Sequence, residues 1–205
     1  MKHVLRPALA ALALLVVASA AFAAPVKFTV DKPHTEVGFD VRHFFTKVHG
    51  RFNDFQGTIV FDEQDPSKIS VEASAVTASI STDNQKRDDH LRSADFFDAE
   101  KFPSLTFKSS KVTASGKNKY KVAGDLTLRG VTKPVVFDGE FFGTGATGMG
   151  TKAGFAATTV VNRKDFGINW NKALDNGGMM LSEEVTISLT IEANQVVEEA
   201  AVIKK

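Results

Sequence analysis

The sequence predicts an all-β fold of antiparallel strands, arranged as a closed barrel or a sandwich, with one short helix laid across the mouth. Three observations predict it. Apolar and polar residues alternate with a period of two in eight or nine separate runs. The links between runs are short and turn-like, which favours antiparallel neighbours. Between these runs only the stretch from Asp83 to Ser93 reads as a helix, being polar, free of Gly and Pro, and poor in β-branched residues.

Taken in order, residues 1–23 read as a cleaved export signal. Lys2 and Arg6 form a basic start, Ala8 to Ala21 is apolar, and Ala21-Phe22-Ala23 is a small-x-small cleavage site. The apolar part is short for a membrane span, and no second long apolar stretch follows, so no integral membrane segment is expected in the mature chain. Residues 24–193 are expected to form one β-domain. The full chain carries 25 basic and 24 acidic residues, a balance that offers no electrostatic footprint for nucleic acid. It contains no cysteine, so disulfides and thiolate chemistry are excluded.

The strand runs begin with Val26, Phe28 and Val30, and Pro33 breaks the pattern. Val37, Phe39 and Val41 resume it. Phe55, Gly57, Ile59 and Phe61 share the next dry face, then Ile69, Val71, Ala73 and Ala75. Thr82 or Asp83 is expected to cap the helix start. Phe96, Phe97 and Phe102 follow as an aromatic hook that Pro103 ends. Leu105 and Phe107 reopen the strand period, followed by Tyr120 to Leu128, Val135 to Phe141, Phe155 to Val161, and Val185 to Ile191. Residues 194–205 alternate poorly and read as a frayed tail.

The motifs that would announce chemistry lack their context. Gly143-x-Gly145-x-x-Gly148 matches a dinucleotide fingerprint by letter, but another strand follows it where a phosphate-holding helix is required, so it reads as a hairpin. His34, His43, His49 and His90 show no metal-ligand spacing, and no metal or cofactor is expected. No Gly-x-Ser-x-Gly elbow exists. The dry faces offer few groups for catalysis beyond Thr159, Tyr120 and Ser109.

The dry faces mix bulky rings with Gly57, Ala73, Ala75, Gly124, Gly139, Ala157 and Thr159. Small residues among large ones leave room for a cavity, or else mark bulges and close packing. The sequence has 17 Phe but one Trp and one Tyr. Phe lacks a polar handle and suits a wall that touches only hydrocarbon. Candidate wall residues are Phe39, Val41, Leu105, Phe107, Leu126, Phe137, Phe141 and Phe155. Phe44, Phe96, Phe97, Phe166 and Trp170 are candidates at the mouth, where the pairs Phe44-Phe45, Phe96-Phe97 and Phe141-Phe142 are also placed.

Several motifs together carry a resemblance. They are His34-Thr35-x-Val37-x-Phe39, Gly50-x-Phe52-x-x-Phe55-x-Gly57, Arg87-Asp88-x-His90-Leu91, Asp95-Phe96-Phe97-Asp98 and Phe102-Pro103-x-Leu105-x-Phe107. Leu126-Thr127-Leu128-Arg129-Gly130-Val131-Thr132-Lys133-Pro134 and Asn162-Arg163-x-Asp165-Phe166-Gly167 complete the set. In this order they resemble the YceI-like family of secreted bacterial proteins. The resemblance implies a lipocalin-like antiparallel closed barrel of about eight strands. It also implies a periplasmic location, a polyisoprenoid or prenyl quinone held inside, and pairing as a homodimer in some members. The expected function is binding, as carrier, store or sensor, and not catalysis. An enzyme acting on an apolar substrate, or a ligand-free stress-associated structural protein, is the alternative. Arg87, Asp88, His90 and Arg163 are the head-group candidates. The competing reading, favoured here, is that they lock the helix and the second hook to the barrel rim.

Overall fold

A computed structural model describes residues 24–174 and 178–197; residues 1–23, read from the sequence as an export signal, therefore lie outside the described residues. Eleven strand segments form one antiparallel sheet that closes on itself. They are β1 (Val26–Val30), β2 (Glu36–His43), β3 (Thr46–Phe52), β4 (Phe55–Phe61), β5 (Ser70–Val76) and β6 (Ile80–Ser81), and then β7 (Ser104–Gly116), β8 (Lys119–Leu128), β9 (Val131–Thr147), β10 (Gly150–Asn162) and β11 (Leu181–Gln195). Helix α1 (Gln85–Arg92) lies between β6 and β7.

The eleven segments make a barrel of eight strands because three strands are broken along their length. β1 and β2 both run along β11, with Val30 opposite Ala193 and Glu36 opposite Thr190. Pro33, inside a turn of 3₁₀ helix, interrupts them, since it cannot donate to the ladder. β3 and β4 run along β2 and β1 in turn, broken at Asn53 and Asp54. β5 and β6 are parted by a 3₁₀ turn at Thr77–Ser79. Closure comes where β11 meets β1, from Phe28 opposite Gln195 to Val30 opposite Ala193. Asn194 and Gln195, expected in a frayed tail, belong to the barrel instead, and the Val196 N–H donates to the Lys27 carbonyl at 2.8 Å; residues 198–205 lie outside the described residues.

Strand alternation puts the β2–β3, β8–β9 and β10–β11 connections and α1 at one end. At the other end lie the β4–β5, β7–β8 and β9–β10 connections. The far end is closed by a ring cluster. Phe61 sits 4.4 Å from Phe141, 5.4 Å from Phe155 and 5.7 Å from Tyr120, centroid to centroid. Phe141 thus belongs to the floor and not to the mouth, because β9 extends well beyond the region where its pattern is apolar. Gly143 and Gly145 lie within β9 and the β9–β10 hairpin follows, with no helix, as expected for this glycine run.

At the mouth, β7 pairs with β5 and not with β6. The segment 82–103 covers that part of the wall. Arg92 holds α1 to it, its guanidinium donating to the carbonyls of Ala78 and Ile80, each at 2.8 Å. The helix starts later than expected and its cap is Asn84, whose side chain accepts the Arg87 N–H at 3.0 Å. Thr82 is not the cap because its N–H and hydroxyl are already spent on Asp88, and Asp83 has the left-handed φ of 57°. Beyond the hook, Thr77 donates to the Phe102 carbonyl at 2.6 Å, and the Phe102 ring lies over Gly130. Gly130, at φ 72°, follows Arg129 at φ 49° in the two-residue turn between β8 and β9. Two positive φ values are what a tight hairpin of this twist needs.

Candidate ligand cavity

Between the ring cluster and the cover lies a cavity of about 270 Å³ whose wall is almost wholly apolar. Every strand of the barrel contributes to it. Of the sequence-predicted wall, Phe39, Val41, Leu105, Phe107, Leu126, Phe137 and Phe155 line it. Phe96 and Phe97 reach it from the hook, and Leu91 reaches it from α1. Phe44, Phe141, Phe166 and Trp170 do not line it. Phe44 sits in the β2–β3 turn against His43, 4.8 Å between ring centroids. Phe166 is buried behind the wall, packed against the wall residues Leu126 and Val161. Trp170 stacks on the rim, 5.2 Å from Phe96 and 5.0 Å from His90.

The small residues divide in the same way. Gly57, Ala73, Ala75, Gly139 and Ala157 border the cavity and give it width. Gly124 is instead filled by a neighbour, since a Cβ there would lie 2.6 Å from the Phe107 ring. Thr159 is off the wall and donates to the Val136 carbonyl at 2.9 Å. Sequence reading did not single out Phe52, Phe55 and Ile168 as wall residues, although their own motifs contain or adjoin them. Gly50 is a further omission: a Cβ there would lie 2.2 Å from the Phe39 ring that crosses it. Only the register of Phe39 opposite Gly50 reveals that contact.

The polar candidates part company. Asp88, 5 % exposed, accepts the Thr82 N–H at 2.8 Å and the Thr82 hydroxyl at 2.5 Å. Arg87 donates from Nε to the same hydroxyl at 2.6 Å and from Nη2 to the Thr82 carbonyl at 2.8 Å. These bonds fasten the start of α1 to the end of β6. His90 Nε2 lies 2.8 Å from Asp95, and its ring packs edge-on against Phe96. None of the three lines the cavity.

Arg163 does line it. The residue is 5 % exposed and sits in the 3₁₀ turn that leaves β10. Nε donates to the Ser182 carbonyl at 2.9 Å, and Nη1 to those of Ile168 at 2.8 Å and Trp170 at 2.7 Å. Nη2 is buried and has no hydrogen-bond partner among the described residues. Burial holds the guanidinium below the usual arginine range, partly opposed by the negative charge of Glu183, though an arginine stays protonated in either case. An unsatisfied buried donor costs about 1–3 kcal/mol, and more when charged. Arg129 spans the cover from the other side, donating to the carbonyls of Gly167 and Ala94.

Of the groups weighed for catalysis, only Tyr120 borders the cavity. Burial pushes its hydroxyl pKa up, which keeps it protonated. Ser109 is occupied, accepting the Val71 N–H at 2.8 Å. Outside the barrel, Asp31, His34 and Glu192 bring ligand-type atoms within 4.8 Å of one another. Lys152 Nζ sits 2.5 Å from both carboxylates, so this group is a lysine-centred ion network joining β1, β10 and β11.

Comparison with known proteins agrees with this architecture. A YceI-like domain is matched over residues 28–193. The chain belongs to the YceI-like family. A UPF0312 protein of Photorhabdus laumondii is 41% identical over 182 residues, covering 88% of this chain and 91% of that relative. One from Pseudomonas aeruginosa is 39% identical over 193 residues, covering 92% and 97%. Among solved structures, Burkholderia cenocepacia BcnA superposes with a TM-score of 0.73 at 25% identity, over 80% of this chain and 99% of that one. A polyisoprenoid binding domain from Saccharophagus degradans superposes with a TM-score of 0.60 at 12% identity, over 83% and 99%. At that identity the likeness is one of fold. The barrel fold is thus shared with these two solved structures, and its cover and floor are built here from the residues described above.

Proposed function

We propose that this YceI-like barrel binds one long isoprenoid chain, that of a prenyl lipid or prenyl quinone, as a periplasmic carrier, store or sensor without catalysing a reaction. The single observation that carries the reading is the apolar cavity running from the ring cluster to the hook. The polyisoprenoid binding described for the Saccharophagus degradans domain of the same fold supports it. Each CH₂ taken out of water contributes about 0.8 kcal/mol, so a long tail has a large driving force away from water. Measured against a bilayer that force nearly vanishes, because the tail already lies in hydrocarbon. Loading and release are then close to balance, as a carrier or store requires. The segment 82–103 is the lid of this reading, since it spans the mouth and places Phe96 and Phe97 on the cavity.

The test is native mass spectrometry with organic extraction, on protein purified from a bacterial periplasm without detergent. The expected result is one stoichiometric extra mass per chain that extracts as a prenyl lipid. A bare chain that stays bare after incubation with prenyl quinone or prenyl phosphate vesicles would overturn the reading in favour of a ligand-free structural protein. The same spectra report signal cleavage near Ala23 and whether the chain forms the homodimer that its family resemblance implies.

A further inference from the structure

Arg163 is the one head-group candidate that borders the cavity. Arg87 is committed to Thr82, and His90 to Asp95 on the rim. Nη1 and Nε of Arg163 are committed as well, but to neutral carbonyls. No carboxylate forms an ion pair with the guanidinium among the described residues. Glu183, whose negative charge acts on the guanidinium, is itself held by Lys164 at 2.5 Å and by Asn162 at 3.4 Å. A buried cation thus sits at the mouth end of an apolar chamber with one nitrogen, and both of its N–H donors, unused. The opposite end of the chamber is packed by the rings of Phe61, Phe141, Phe155 and Tyr120.

We infer that Arg163 is the head-group anchor of this cavity, its Nη2 donating to an oxygen acceptor carried at one end of the bound chain. This rests on the proposed isoprenoid binding and gives it an orientation, with the polar end beside Arg163 and the tail toward Phe61 and Phe141. The chemistry recognised is a terminal phosphate oxygen or a quinone carbonyl. An anion is preferred, because it would neutralise a charge that the protein leaves uncompensated and would make the stronger, charge-assisted bond. Nη2 is covered in this structure, so the acceptor reaches it as neighbouring wall side chains shift.

The experiment compares three ligands of equal prenyl length on the wild-type protein: a monophosphate, a quinone and a hydrocarbon with no head group. Affinity is read from the fluorescence of the single tryptophan, Trp170, whose carbonyl Arg163 holds. Nitrogen-15 spectra of the arginine guanidinium groups are recorded alongside. The monophosphate is expected to bind about ten- to a hundredfold more tightly than the hydrocarbon, with the Arg163 resonances shifted only by the headed ligands. A quinone preferred over the phosphate supports the anchor with a neutral acceptor as its source. Arg163→Lys, which keeps the charge and loses the fork, should narrow the preference while hydrocarbon binding persists. Because that variant also removes loop bonds, the wild-type spectra decide. Equal affinity for all three ligands, or a preference with the Arg163 resonances unmoved, overturns the anchor and leaves the cavity reading standing. Binding of none of the three overturns both.

Discussion

Asp88 and Arg163 show how two buried charges can serve opposite ends. Both are charged, 5 % exposed, and lie in polar motifs near an aromatic hook. Asp88 has partners for its charge in the Thr82 N–H and hydroxyl, so its task is to hold α1 in place. Replacing Asp88 with Ala should lower stability by about 1–3 kcal/mol, read by urea unfolding, because it strands two buried donors. The Asp31 carboxyl is held below its usual range, first by its hydrogen bond to Lys152 and then by that to His34. A depressed carboxyl stabilises the fold above its unfolded pKa of 3.8, and that contribution is lost as pH falls through the lower folded value. The stability gap between wild type and Asp31→Asn should therefore be full above about pH 5 and shrink toward pH 2. A gap independent of pH would show that the network does not depend on this charge. Sequence gave no means of ranking these charges, since burial and unmatched donors are properties of the surroundings.

The cover is the element on which the proposed exchange of ligand depends. It is fastened by short polar links: Arg92 to β6, Thr77 to Phe102, and Arg129 to both hooks. Arg129→Ala removes the link that joins the two hooks. Stopped-flow transfer of a prenyl quinone to vesicles should then be several-fold faster, with the folded barrel retained. Unchanged transfer rates would place the opening elsewhere. The helix itself was legible as a polar run without Gly or Pro, and the hook as a Phe cluster ended by Pro103. Its cap was not, because Asp83 adopts a left-handed φ and passes the role to Asn84. The strand breaks were equally hidden, apart from the one at Pro33. Asn53–Asp54 and Thr77–Ser79 carry no residue that forbids a strand, and only the pairing of neighbours shows that each break is bridged.

For the whole molecule, width is set by a few small side chains. Ala73 borders the cavity opposite Gly57 on β4 and Phe107 on β7. Ala73→Phe places a ring in that space. Prenyl quinone uptake should fall at least tenfold while thermal unfolding stays within a few degrees of wild type. Undiminished uptake would mean that the chain binds outside the barrel. Closure of the ring depends on residues far apart in sequence: β1 reaches β11 only at Phe28 to Val30, and Lys152 ties that junction to β10.

The sequence by itself determined the all-β class, the dry face of each strand, the hairpin reading of the glycine run and the family. Each of these follows from local period or from motifs read in order. Tertiary structure alone decided which small residues open the cavity and which are filled by a neighbouring ring. Gly139 and Gly124 look alike in sequence, but Phe107 lies over only one of them. It also decided that Phe141 is floor, that Trp170 is rim, and that Arg163 borders the cavity while Arg87 and His90 do not. The physical reason is that a strand pattern gives the side of the sheet a residue faces, whereas its neighbours across the barrel depend on register, bulges and closure.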